Sequence, residues 1–124
     1  MINKEENYLV VWASNDTNKY WYKVFNDLIS NWYKAIPINP KEKEILKQKV
    51  YNSLLDFKWT IDNIIFVTQP KVTETIIQNI IKEKLKVKNI WMQPWSDNEK
   101  SVNLCNENNL HCTSNSCIMI ERKK

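Results

Sequence analysis

Short apolar runs with no polar face alternate along this chain with stretches that are apolar on one side only. That alternation limits the folds open to it. The strand-like runs are Tyr8 to Trp12, Lys34 to Ile38, Asn63 to Val67 and Asn89 to Met92. Asn63-Ile64-Ile65-Phe66-Val67 is the clearest, rich in β-branched residues and apolar on both faces. Between the runs, Tyr22, Phe25, Leu28 and Ile29 recur at helical spacing from about Lys19 to Ser30. Ile76, Ile77, Ile80, Ile81 and Leu85 repeat the pattern behind Thr73, which is placed to cap that helix. Strands buried on both faces and separated by helices require a parallel sheet covered on two sides. Right-handed crossovers then make a doubly wound, three-layer sandwich.

The remaining elements are shorter. A brief helix is expected within Glu42 to Lys49, a strand at Lys49 to Tyr51 and a helical turn at Ser53 to Phe57. A helix from about Asp97 to Asn108 precedes two short strands, near Leu110 to Thr113 and Cys117 to Ile120. No internal repeat, low-complexity tract or long linker divides residues 1–124, so one domain is expected. A chain of 14.9 kDa buries about two-thirds of its unfolded surface, enough for a core without staples. Its net charge of +4 is almost wholly lysine, since Arg122 is the only arginine. This suits a phosphorylated ligand but falls short of a nucleic-acid footprint. No signal peptide and no run of apolar residues long enough to span a membrane is visible, so a cytoplasmic protein is expected. Cys105, Cys112 and Cys117, with His111 beside them, lack the paired spacing of a zinc site. Reduced, mostly buried thiols and no metal are expected.

No glycine occurs in the 124 residues, and six tryptophans do. Trp12 ends the first strand, Trp21 opens the first helix, Trp32 follows it, and Trp95 follows Pro94. These are turn and cap positions, where a chain often needs positive φ or a close backbone approach. Ligands in a doubly wound sheet sit beyond the carboxyl ends of the strands. The segments arriving there are Trp12-Ala13-Ser14, Asn39-Pro40, Thr68-Gln69-Pro70 and Gln93-Pro94-Trp95. A small-residue loop entering a helix N-terminus presents free N–H groups and a positive dipole end, and Ser14 and Lys19 add a hydroxyl and a charge. From spacing alone, Ala13-Ser14-Asn15-Asp16 reads equally as an anion site or as a plain polar turn with an N-cap.

Six segments in order decide between them: Trp12-Ala13-Ser14, Lys19-Tyr20-Trp21, Trp32-Tyr33, Ile38-Asn39-Pro40-Lys41, Trp91-Met92-Gln93-Pro94-Trp95 and Asn115-Ser116-Cys117-Ile118. With glycine at 12, 21, 32 and 95, they resemble the small bacterial CoA-binding proteins. That Rossmann-like domain also opens the α subunit of succinyl-CoA synthetase and the NDP-forming acyl-CoA synthetases. The resemblance covers nearly the whole chain, and Trp91 to Pro94 is its most specific piece. It implies an α/β, three-layer, Rossmann-like, doubly wound and mostly parallel sheet that binds coenzyme A. In the implied site, residues 12 to 14 and the start of the first helix, Lys19-Tyr20, hold the CoA diphosphate. Asn39 and Pro40 shape the adenosine side, Pro70 and Thr73 line the rim, and Gln93-Pro94-Trp95 closes the site near the pantetheine arm. Asn115 stands where many relatives carry an acid.

The departures fall on glycine, with Trp59 a fifth candidate beside Trp12, Trp21, Trp32 and Trp95; Trp91 matches the family tryptophan. Random substitution does not turn many glycines into one bulky type. UGA codons, which some bacterial lineages read as glycine, translated here as tryptophan, would do so. No catalytic constellation is visible. The ligase relatives use a phosphorylated histidine on a separate domain, whereas His111 reads as packed or surface and Cys117 as a packed strand cysteine. Asp16, Asp62 and Asp97 show no acid–base pairing, and Lys82, Lys84, Lys86 and Lys88 read as a solvated helix end. The expected function is a non-catalytic CoA or acyl-CoA binding domain. The alternatives are a CoA-binding subunit of a multi-chain acyl-CoA ligase or transferase, with a partner enzyme subunit, and a domain for another nucleotide such as NAD. The NAD reading lacks G-x-G-x-x-G and an acid after the second strand.

Overall fold

The computed structural model describes residues 3–12 and 19–124. Five strands form one parallel sheet: β1 (Asn7–Val11), β2 (Lys34–Ile38), β5 (Ile61–Phe66), β6 (Val87–Met92) and β7 (Cys112–Thr113). Their spatial order is β2-β1-β5-β6-β7, so the winding direction reverses between β1 and β5. Helices α1 (Tyr20–Ser30), α2 (Pro70–Lys82), α3 (Glu99–Glu107) and α4 (Ile118–Arg122) cover the sheet. The α/β, doubly wound, Rossmann-like architecture expected from the sequence is the one observed.

Alternation along the central strands assigns each face its helices. Leu9, Val11, Ile64, Phe66, Ile90 and Met92 pack with Ile77 and Ile80 of α2 and Cys105 of α3. Tyr8, Val10 and Ile65 point the other way, onto Val24, Phe25 and Leu28 of α1 and Ile118 of α4. Arg122 clamps α4 to α1 by two bonds to Asp27, Nε to Oδ2 at 2.8 Å and Nη2 to Oδ1 at 3.1 Å. At the amino edge of the sheet, buried Asn63 donates to Glu6 and to the Asn7 carbonyl and accepts from Asn89. Each lost side-chain partner there would strand a polar group in the interior.

Two helices end in the same pair of hydrogen bonds, and a third makes the longer bond of that pair. After α1, the Trp32 N–H reaches the Ile29 carbonyl and the Tyr33 N–H reaches that of Leu28. Lys84 and Leu85 repeat the pair after α2, and Leu110 reaches back to Cys105 after α3. In this Schellman arrangement the first residue past the cap is left-handed. Here Trp32 has φ 68°, Lys84 52° and Asn109 55°.

Several expectations are corrected. Glu42 to Lys49 is not helical: β3 (Glu44–Ile45) and β4 (Gln48–Lys49) form an antiparallel hairpin. Its two-residue turn puts Leu46 at φ 47° and Lys47 at 65°, the both-positive pattern of a type I′ turn. Tyr51 pairs with Ile38 as an isolated bridge rather than inside a strand. Cys117 to Ile120 is not a strand, because Cys117 is the N-cap of α4. Thr73 does not cap its helix; α2 starts earlier, at Pro70, with Gln69 as N-cap. Proline at the first helical position costs no hydrogen bond and brings its φ already set. The cysteines are not all reduced, since Cys105 and Cys112 form a disulfide, which leaves Cys117 free. Ser53 to Phe57 does hold a helical turn, the 3-10 segment η1 (Leu54–Asp56).

Candidate functional site

Strand register builds the site. Ile38, Val11, Phe66 and Met92 are paired across four strands in one row. The next residues, Asn39, Trp12, Val67 and Gln93, therefore form the carboxyl edge of the sheet. Two backbone bonds continue the ladder there, Trp12 N–H to the Ile38 carbonyl at 2.6 Å and Gln93 N–H to that of Phe66 at 3.1 Å. The reversal of winding falls between Trp12 and Val67, where chain leaves the sheet in opposite directions and a crevice opens.

Three adjoining cavities occupy this edge. The first, about 230 Å³, lies between the ends of β1 and β2, η1 and α2, with apolar walls from Val11, Ile38, Leu54, Ile76, Ile80 and Leu85. The second, about 190 Å³, sits at the winding reversal against Trp12, Trp21, Thr68 and Val72. The third, about 550 Å³, continues past Trp21, Thr68 and Gln69 to Tyr20, Pro94 and Trp95. Trp12 is shared by the first two, and Trp21 by the second and third.

The N-termini of α1 and α2 lie along this crevice, and neither is capped by its N-cap side chain, Lys19 or Gln69. By contrast, α3 carries a reciprocal capping box between Asn98 and Ser101. Helix starts offer N–H donors and positive dipole ends that favour an anion. At α2, Pro70 has no N–H and those of Val72 and Thr73 already bond the Gln69 carbonyl, so α1 is the donor-rich start among the described residues. Lys19 is exposed and holds its ammonium 5.7 Å from the Trp21 ring centroid.

The loop after β6 is held from beneath. Gln93 is fully buried; its Nε2 donates to the Tyr20 hydroxyl at 2.8 Å, and its Oε1 accepts from the Ile118 N–H at 2.7 Å. One amide thus ties the end of β6 to the starts of α1 and α4. The turn that follows closes with the Ser96 N–H on the Gln93 carbonyl at 2.9 Å. Pro94 occupies its second position and Trp95 its third, at φ 75°, as in a type II turn. Ser96 then accepts from the Thr68 N–H, and Thr68 and Thr73 share a hydroxyl bond of 2.6 Å.

Cys117 lies under the same loop, its sulfur 3.4 Å from the Tyr20 hydroxyl and 3.5 Å from Gln93 Nε2. Burial pushes the thiol up, but bonds from Tyr20, the Ile120 N–H, Gln93 and the Met119 N–H outweigh it, and the thiol ends below its ordinary value. Burial, reinforced by Cys117, pushes the Tyr20 phenol up to about 12.

The expected site residues are distributed as follows. Trp12, Tyr20, Pro40, Pro94 and Trp95 line the cavities. Lys19 stands at the start of α1 and Pro70 at the start of α2, while Ala13 and Ser14 lie outside the described residues. Thr73 and Gln93 are fully buried and committed to neighbours. Asn39 accepts the Lys41 and Glu42 N–H groups at 2.9 and 3.2 Å, folding the Asn-Pro turn onto itself. The apolar walls from η1 and α2 were not anticipated. Their helical periodicity marked Ile76 and Ile80 as core, and only the placement of η1 opposite them opens a cavity. His111 is exposed and bonds Asn89 beside β7, away from the carboxyl edge. No group of three His, Cys, Asp or Glu residues able to hold a metal occurs among the described residues. Nor is any helix among them long and apolar enough to cross a membrane.

Fold and crevice together define a doubly wound, Rossmann-like α/β protein with an open carboxyl edge at its winding reversal. The chain belongs to the CoA binding domain family, whose profile matches residues 6–123. Among solved structures it is similar to a conserved hypothetical protein from Pyrococcus furiosus, at 28% identity and a TM-score of 0.87, covering 94% of this chain and 98% of that one. A hypothetical protein from Pyrococcus horikoshii OT3 is also 28% identical, with a TM-score of 0.83 over 94% of this chain and 80% of that one. A Thermus thermophilus protein shares the fold at 20% identity and a TM-score of 0.83, covering 95% and 88%.

Proposed function

We propose that this chain is a single, non-catalytic domain that binds coenzyme A or an acyl-CoA along the carboxyl edge of its sheet. The carrying observation is the row of three cavities beside the start of α1, whose N-cap side chain, Lys19, makes no cap bond: an apolar end next to an anion-favouring middle. The adenine ring suits the apolar cavity beside Pro40, Leu54 and Ile76. The diphosphate suits the start of α1 with Lys19 and residues 12 to 14. The pantetheine arm runs along the Pro94–Trp95 turn toward Tyr20. Buried Thr73 and Gln93 act as positioning residues that hold the loops around that path.

Asn39 favours CoA over NAD. Its carbonyl oxygen is committed to two loop N–H groups, and no acid at the end of β2 awaits a ribose. The second reading, a subunit of a multi-chain acyl-CoA ligase or transferase, draws on Trp59. That ring is 65% exposed and packs against Phe57 and Tyr51, a surface suited to a partner.

Isothermal titration of CoA and of NAD into the purified protein tests the proposal. Saturable binding of CoA with none of NAD is expected. Binding of neither, by this chain and by a variant with glycine at 12 and 95, would refute it.

A further inference from the structure

Three tryptophans stand on backbone that an L-residue of their size enters only under strain. Trp12, Trp32 and Trp95 have φ of 72°, 68° and 75°. Each sits where a hydrogen-bonded motif sets that conformation. Trp32 is the first residue past the cap in the Schellman end of α1, and Trp95 is the third residue of a Pro-led turn. Trp12 leaves β1 at the winding reversal with its N–H still on the ladder. Glycine enters this region freely and favours these positions. The indoles of Trp32 and Trp95 are 84% and 88% exposed and give the core almost nothing in return. Trp91 behaves as a normal tryptophan: it lies in β6, packs against the core, and has no positive φ.

Composition makes the same point independently. Glycine averages about 7% of residues, so a chain of this length ordinarily carries roughly nine. This one has none. Among the described residues five others share the left-handed region, and two of them, Asn109 and Asn115, are the type that tolerates it best after glycine. Trp21 and Trp59 do not have positive φ, so left-handed backbone is confined to three of the tryptophans.

We propose that residues 12, 32 and 95 are glycine in the chain as its own cell makes it, from UGA codons that a variant assignment, not the standard one, turns into tryptophan. The consequence for the crevice rests on the CoA reading. Trp12 forms a wall common to the first and second cavities, and Trp95 lines the third. Glycine at 12 removes the wall between the first and second cavities, and glycine at 95 widens the third, which leaves more room along the sheet edge for a nucleotide with an extended arm.

The test is peptide sequencing by mass spectrometry of the protein isolated from its native cell, alongside its coding DNA. CoA is titrated in parallel into the chain as written and into a Trp12→Gly/Trp95→Gly variant. Glycine in all three native peptides is expected, with CoA bound at least roughly tenfold more tightly by the variant. Glycine peptides without CoA binding by the variant would support the residue assignment and remove the CoA reading. Tryptophan in any of the three peptides, or UGG at any of those codons, would overturn the assignment whatever binds.

Discussion

Replacing Trp32 by glycine should make the protein more stable, although it deletes the largest side chain available. The left-handed conformation costs an L-residue roughly 1–2 kcal/mol, and Trp32 bears that cost at φ 68°. Glycine removes it but returns about 0.4–1 kcal/mol as extra freedom of the unfolded chain. Burial hardly enters, because the side chain is 84% exposed and the capping bonds are made by backbone N–H groups. The balance is a gain of about 0.5–1 kcal/mol. Unfolding entropy of about 2.1 cal/mol/K per residue converts this into a rise in Tm of roughly 2–4 °C for a chain of this length. Thermal unfolding followed by circular dichroism, with Trp32→Ala as control, reads the effect. Alanine keeps the Cβ that clashes, so its midpoint should stay near the parent's. A lower Tm for the glycine variant, or an equal gain with alanine, would refute the reasoning.

Two further outcomes concern sulfur. Reducing Cys105–Cys112 opens a loop of seven-residue separation, which the chain-entropy relation values at about 2–3 kcal/mol, or roughly 8–11 °C in Tm. Alkylation of the unfolded, unreduced protein should label only Cys117, and labelling of all three cysteines would deny the bridge. For Cys117, the thiolate is the nucleophile, so its alkylation rate rises with pH through the thiol's pKa. The half-rise should fall below that of a free thiol, and Tyr20→Phe should move it up by removing a hydroxyl that bonds the sulfur. An unchanged profile in the Tyr20→Phe protein would mean that this bond does not set the thiol's acidity.

The central layers were legible because the sheet buries both faces. Ile64, Ile65 and Phe66 have no polar alternation, and only a parallel strand between helices accounts for that. The misread segments are those where local chemistry runs against the usual signals. The hairpin at Glu44 to Lys49 turns through Leu46-Lys47 instead of an Asn-Gly pair, so nothing in the letters marks it. Cys117 to Ile120 is apolar and short, and at that length a strand and a helical turn share one pattern. The start of α2 was displaced because Thr73 resembles a cap while its hydroxyl is bound to Thr68, inside the first turn. The disulfide was out of reach for a different reason. Cys105 and Cys112 meet only after the motif at Asn109 turns the chain back from α3 to β7.

The loops of the candidate site were legible in the sequence and its walls were not. Order of segments was enough to place Trp12, Pro40, Pro94 and Trp95 together, because the carboxyl ends of parallel strands must converge on one edge. The first cavity depends on how η1 faces α2, a tertiary relation with no sequence period. Between loops and walls stand the tryptophans. A close backbone approach at the end of β1 and a tight turn after β6 are what give this edge a groove, and both require left-handed residues. On the proposed CoA reading, Trp12 and Trp95 therefore occupy the positions where the fold's geometry and the ligand's space make the same demand. Strain at Trp32, remote from the cavities, shows that the demand begins with the fold. A residue that relieved it at all three positions would stabilise the helix end and clear the groove together, so stability and ligand binding should improve in the same variants.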